Sequence, residues 1–136
     1  MNSPAEDLAL LGTVKETVVV LGKKFILKTL DADQESTAKS SSSIFDLETR
    51  REVLKMEKLA RSIETIDGVP FTLSKDEADR GMTVLQKARD VIYKWQGPVV
   101  DRVYVELLKL EAKREAVLRE IEKNASSPVI PSGAGR

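Results

Sequence analysis

Residues 17–29 read Thr17-Val18-Val19-Val20-Leu21-Gly22-Lys23-Lys24-Phe25-Ile26-Leu27-Lys28-Thr29. Two β-rich runs stand on either side of Gly22-Lys23. A two-residue loop that begins with glycine is a hairpin signature. The rest of the chain carries no β signal of this strength. Each run is nearly continuous in apolar residues, which predicts cover on both faces. A lone two-stranded hairpin is marginal in water. The segment must therefore pack on helices, pair with a further strand, or dock on a partner.

On both sides of the hairpin, which spans 14–30, the reading is helical. Ser3 suits an N-cap, Pro4 the first helical position and Glu6-Asp7 the positive helix end, giving a short helix within residues 1–12. Asp31-Ala32-Asp33-Gln34-Glu35 opens a helix over about 31–39, which the run Ser40-Ser41-Ser42-Ser43 should stop, because serines favour caps and turns. Ile44, Leu47, Leu54, Leu59, Ile63 and Ile66 recur at helical spacing and predict a helix over 44–67. Asp67-Gly68 would close it, with Gly68 as the left-handed cap residue. Ser74-Lys75-Asp76-Glu77 is a capping box and starts a helix over 75–96. Gly97-Pro98 ends that helix and begins another over 98–123. Residues 125–136 turn to Ala, Ser, Pro and Gly, the composition of a flexible tail. The fold class is α+β: an N-terminal β-hairpin followed by a mainly helical body of about three principal helices, in a single domain over 13–124.

Composition narrows the chemistry. The chain has 136 residues, one domain's worth, with 22 Lys plus Arg against 22 Asp plus Glu. Zero net charge, spread evenly along the chain, argues against a nucleic-acid partner. There is neither cysteine nor histidine. That excludes disulfides, cysteine nucleophiles, serine–histidine hydrolases and histidine-ligated zinc. No apolar run approaches the roughly 18 residues of a membrane span, and no signal peptide is apparent.

The remaining constellations favour structure over catalysis. Asp31, Asp33 and Glu35 alternate like calcium ligands, but Ser36 and Ser42 stand where such a loop needs glycine and glutamate. No glycine-rich phosphate loop is present, and no motif nominates a catalytic residue, cofactor or metal. Trp95-Gln96-Gly97-Pro98 marks a helix–helix corner. Its tryptophan either packs into that corner or anchors an interface, where tryptophan is enriched. The partner-binding candidates are accordingly Val18, Val20, Phe25 and Leu27, through strand pairing of the hairpin, and Trp95, Val99 and Tyr104, through helix docking. Leu107, Leu110, Arg114, Val117 and Ile121 follow an approximate three-four spacing, compatible with a homo-oligomer.

The order of these parts resembles a known family. The elements are the hairpin with Lys24-Phe25-Ile26-Leu27-Lys28-Thr29-Leu30, then Leu59-Ala60-Arg61-Ser62-Ile63-Glu64-Thr65-Ile66-Asp67-Gly68, a helix ending in Trp95, and Pro98-Val99-Val100-Asp101-Arg102-Val103-Tyr104. Together, over residues 24–122, they look like the tail assembly chaperones and baseplate hub assembly subunits of tailed bacteriophages. The resemblance implies no enzymatic activity. It implies binding to phage tail proteins, either the tape-measure protein or the baseplate hub, in the host cytoplasm during assembly or within the virion's tail and baseplate. The alternative is a generic cytosolic helical adaptor or chaperone unrelated to phage.

Overall fold

The computed structural model describes residues 3–126. Helix α1 (Pro4–Leu10) precedes a hairpin of β1 (Lys15–Val20) and β2 (Lys23–Lys28). Then come α2 (Ala32–Ser42), α3 (Leu47–Ser62), β3 (Ile63–Ile66), α4 (Lys75–Asp79), α5 (Val84–Tyr93) and α6 (Gly97–Ser126). The expected α+β class, with an N-terminal hairpin before a mainly helical body, holds. α6 runs on past the expected end at 123, so residues 125 and 126 of the expected tail are helical, and the rest of that tail, residues 127–136, lies outside the described residues.

The hairpin turns one residue earlier than its glycine suggested. Val20 pairs with Lys23, so the loop is Leu21-Gly22, with φ of 53° and 79°. Positive φ at both central positions is a type I′ turn, whose twist matches that of the strands. Val18 therefore faces Phe25 rather than Leu27. The exposure of β1 alternates strictly: Lys15, Thr17 and Val19 face solvent while Val20 is buried. The expectation that both faces are covered is corrected for this strand.

The sheet has a third strand where the sequence suggested helix. α3 ends at Ser62, and Ile63–Ile66 pairs antiparallel with β2, giving the order β1-β2-β3. Three of its four residues are β-branched, a composition that fits a pleated surface better than a crowded helix. Ser62 Oγ donates to the Lys28 carbonyl at 2.7 Å, fastening the end of α3 to β2. Asp67 and Gly68, at φ 51° and 80°, form a second turn of the same hand, bridging Ile66 to Val69. Gly68 is left-handed as expected, but in a strand turn rather than a helix cap. The neighbouring Asp67 Oδ1 accepts from the Lys24 N–H at 2.7 Å.

Three helix boundaries also differ. α2 runs through Ser40, Ser41 and Ser42, because Ser42 and Ser43 hydroxyls donate back to the carbonyls of Lys39 and Ser40. Small Ala38 and Ser42 bury fully beside α3. α3 starts at Leu47 behind Asp46, which accepts from the Thr49 N–H at 2.9 Å, leaving Ile44 84% exposed in the preceding loop. The helix expected over 75–96 breaks at Gly81, φ 81°, and restarts behind Thr83 in a second capping box with Gln86. It ends with Lys94 as its cap, so Trp95 sits just beyond it.

The core lies between the inward sheet face and α3, α5 and α6. Leu27, Leu59, Ile92, Val103 and Leu107 have no exposed surface. Each fully buried aliphatic side chain of this kind contributes roughly 1.5–3 kcal/mol. α6 supplies Val100, Val103, Leu107 and Leu110 at three-four spacing. Beyond Leu110 the helix continues past the core, and Gly12 approaches Leu118 so closely that an added Cβ would lie 3.1 Å from it. Among the described residues no helix is long and apolar enough to cross a membrane.

Candidate partner-binding surface

The two strand turns lie at the same end of the sheet and bring Val20, Leu21, Phe25 and Ile66 together. Opposite them stands the corner between α5 and α6, with Trp95, Val99 and Val103. Between the two lies an apolar groove of about 290 Å³. The Phe25 and Trp95 rings meet edge to face, 6.3 Å between centroids at 87°, a favourable aromatic geometry. Lys23, ion-paired with Asp67 at 3.5 Å, stands on the rim.

Four of the seven partner-binding candidates, Val20, Phe25, Trp95 and Val99, converge on this groove. Val20 and Phe25 are themselves buried in the core and form its floor, whereas Trp95 and Val99 are half-buried walls. Val18 and Leu27 belong to a different cleft, of about 120 Å³, between the hairpin and α6. Leu27 has no exposed surface, so its expected role in strand pairing is replaced by one in packing. Tyr104 joins neither cleft: the ammonium groups of Lys55 and Lys58 lie 6.0 and 5.9 Å from its ring centroid, at the contact of α3 with α6. Pairing through the whole hairpin is narrowed as well. β2 is flanked on both sides, which leaves β1 as the hairpin's free edge. The groove residues not foreseen are Leu21, Ile66, Val91 and Val103; Ile66 arrives only because β3 is a strand.

A polar junction joins the helices on the far side of α5. Glu57, 0% exposed, accepts hydrogen bonds from Arg61 Nη1 at 2.8 Å, from Arg89 Nε at 2.9 Å and from the Tyr93 hydroxyl. Arg61 reaches on to Thr37 Oγ1 at 3.2 Å, so α2, α3 and α5 meet at one carboxylate. Burial pushes the Glu57 pKa up, but the bonds from Tyr93, Arg61 and Arg89 outweigh it and hold the group below the ordinary 4.5. Burial and the Glu57 charge push Tyr93 up. The carboxylate is thus ionised at neutral pH, enclosed and fully engaged, which suits a joint. A polar cavity of about 430 Å³ adjoins it, walled by Arg80, Arg89 and Tyr93.

A lesser joint spans the Gly81 break. Glu77 accepts from Lys87 Nζ at 2.7 Å and from the Ser74 N–H at 2.8 Å. The Lys87 bond is the main reason its pKa falls to about 2. Among the described residues no group of three or more acidic side chains is arranged to hold a metal ion. No protein family, curated protein or solved structure matches this chain.

Proposed function

We propose that this chain is a non-enzymatic binding protein of bacteriophage tail morphogenesis that seats an apolar segment of a tail component, the tape-measure protein or the baseplate hub, in the Trp95 groove. The observation that carries the binding reading is the convergence of Val20, Phe25, Trp95 and Val99 on one open apolar groove. At about 290 Å³ the groove lies at the bottom of the roughly 300–1,000 Å³ range of small-molecule sites. That size suits one or two apolar anchor side chains. A half-buried tryptophan at the wall is the kind of residue on which binding energy concentrates. The phage assignment is supported by the resemblance of residues 24–122 to tail assembly chaperones and hub assembly subunits. The chain then works in the host cytoplasm during assembly, and retention in the baseplate is the other end point.

The test is quantitative mass spectrometry of purified phage particles beside lysate from infected cells. Fixed stoichiometry in particles would make the chain a structural subunit. Presence only in lysate, bound to a tape-measure or hub protein, would make it a chaperone. Absence of any tail protein among its partners in both fractions would reject the phage reading in favour of a cytosolic adaptor.

A further inference from the structure

We propose that the cavity between α2, α3, β3 and α5 is a binding site for a small organic carboxylate with a compact apolar body, held through Arg61. The proposal depends neither on the phage assignment nor on the Trp95 groove. The cavity has a volume of about 480 Å³, within the roughly 300–1,000 Å³ of small-molecule sites. Its floor is apolar: Ala60, Ile63 and Ala88 are buried residues of α3, β3 and α5. Phe71, Val84 and Leu85 stand around that floor, with Val84 52% exposed.

Arg61 is the polar group that points to a ligand. Its side chain is only 6% exposed, yet two of its three nitrogens alone have partners. Nε donates to Thr37 Oγ1 at 3.2 Å, and Nη1 donates to the Glu57 carbonyl and carboxylate, both at 2.8 Å. Nη2 has no acceptor among the described residues. It is not sealed in either, since Thr65 Oγ1 is the one buried side-chain polar atom left without a partner there. Nη2 therefore keeps contact with open space, and Arg61 borders this cavity. Charge selects what should meet it. The Arg61 and Arg89 guanidinium cations share the single Glu57 carboxylate, which leaves the cluster cationic. A bond from a guanidinium to an anion is roughly twice as strong as one between neutral groups. The acids of the cavity do not fill this role. Glu64 turns to Lys15 at 2.7 Å and to Lys28 at 3.8 Å, and Asp33 is exposed. Their negative charge favours a ligand with one negative charge over a dianion. The apolar floor sets the rest of the ligand: a ring or branched chain on Ala60, Ile63 and Ala88, with its carboxylate toward Arg61.

Methyl and amide NMR spectra of the full chain, titrated with phenylacetate, read the site residue by residue. The expected result is saturable shifts at Ala60, Ile63 and Ala88, half-complete on the order of millimolar, as suits a ligand of about ten heavy atoms. Phenylacetamide has the same shape without the charge and should bind at least roughly tenfold more weakly. Replacing Arg61 itself also disturbs the Glu57 junction, so the decisive variant is Val84→Glu. It places a carboxylate on an exposed wall of the cavity, in the first turn of α5, where an acid suits the helix N-terminus. The variant should keep its circular dichroism while its affinity for phenylacetate falls at least roughly tenfold. The absence of saturable shifts at the three floor residues up to tens of millimolar overturns the proposal, as do shifts confined to the Trp95 groove. Equal binding of phenylacetamide overturns it too, because the cavity would then be an apolar hole without preference for an anion. So does a folded Val84→Glu protein that binds phenylacetate as tightly as the wild type.

Discussion

The Glu57 junction and the Trp95 groove lie on opposite sides of the same short helix, α5, the first reached by Arg89 and Tyr93 and the second by Val91 and Trp95, and they finish its packing in contrary ways. At the junction every strong polar group finds a partner inside the chain: Glu57 takes three donors, and Arg61 goes on to Thr37. At the groove, apolar side chains gather from all three strands and from α5 and α6 and stop short of closing, leaving about 290 Å³ open. A buried charge left unpaired is far more costly than an apolar surface left wet. The junction has no freedom to open, whereas the groove has tolerable exposure to offer a partner. The difference teaches where capacity for binding resides. It lies on the side of α5 where the chain leaves contacts unmade.

The largest effect should come from breaking the closed side. Glu57→Ala would leave Arg61, whose side chain is 6% exposed, without its counter-charge. Removing one member of a buried ion pair typically costs about 3–5 kcal/mol, against a total stability of about 5–15 kcal/mol. Urea unfolding at neutral pH measures it, and a loss below about 1 kcal/mol would mean the junction is not a joint. The pH dependence has a definite sign. The folded Glu57 pKa lies below its ordinary 4.5, so its contribution is fully present above pH 4.5 and is lost as pH falls through the folded value. Glu77 adds a loss of the same sign between its ordinary 4.5 and its folded value of about 2. Glu57→Gln should therefore flatten the acid limb of a stability profile, and Glu77→Gln should flatten it further toward pH 2.

The same contrast explains what the sequence could disclose. Ser3, Asp31 and Ser74 were readable as helix caps because capping chemistry is local, and each accepts the backbone N–H three residues on. β3 was not readable in the same way. Ile63 and Ile66 fit a helical period, and what decides between helix and strand is β2, whose Lys24 bonds to Asp67 across 43 residues. The Asp67-Gly68 pair was the available signal, since that dipeptide marks a strand turn as readily as a helix end. The groove was half legible for a related reason. Trp95 stood out as a tryptophan at the end of a helix and Phe25 as a hairpin residue, but that they touch, and that Leu21 and Ile66 join them, follows from tertiary pairing alone. Tyr104 was grouped with Trp95 by nearness in sequence. On a helix, nine positions on from Trp95, it points to α3 instead.

On the open side, two substitutions separate packing from binding. Trp95→Ala should cost about 2 kcal/mol, less than the roughly 3–5 kcal/mol of a fully buried aromatic, because the ring is half-buried against Phe25. Val99→Asp should leave stability within about 1 kcal/mol of wild type, because a carboxylate in the first turn of α6 suits the helix N-terminus. It should nevertheless abolish capture of the proposed partner by placing a charge in the groove wall. Calorimetry of folding beside a pull-down distinguishes the two. A Val99→Asp protein that folds and still binds would remove the groove from the binding surface.

The smallest effect sharpens the comparison most, because it sets stability against binding at one residue. The two strand turns share the same backbone, yet their first central residues differ. Asp67 tolerates the left-handed conformation, and its carboxylate accepts the Lys24 N–H. Leu21, at φ 53° and 60% exposed, has no such compensation. An L-residue other than glycine, asparagine or aspartate costs roughly 1–2 kcal/mol in that region, and strain of this kind persists where function uses it. Leu21→Asn would create the preferred Asn-Gly turn. It should raise stability by about 1 kcal/mol, a shift of a few degrees in Tm, while weakening partner capture by removing one apolar wall of the groove. Stabilisation with unchanged binding would assign Leu21 to the turn alone. Stabilisation with lost binding would show that the groove keeps a strained residue in its wall for the sake of what it holds.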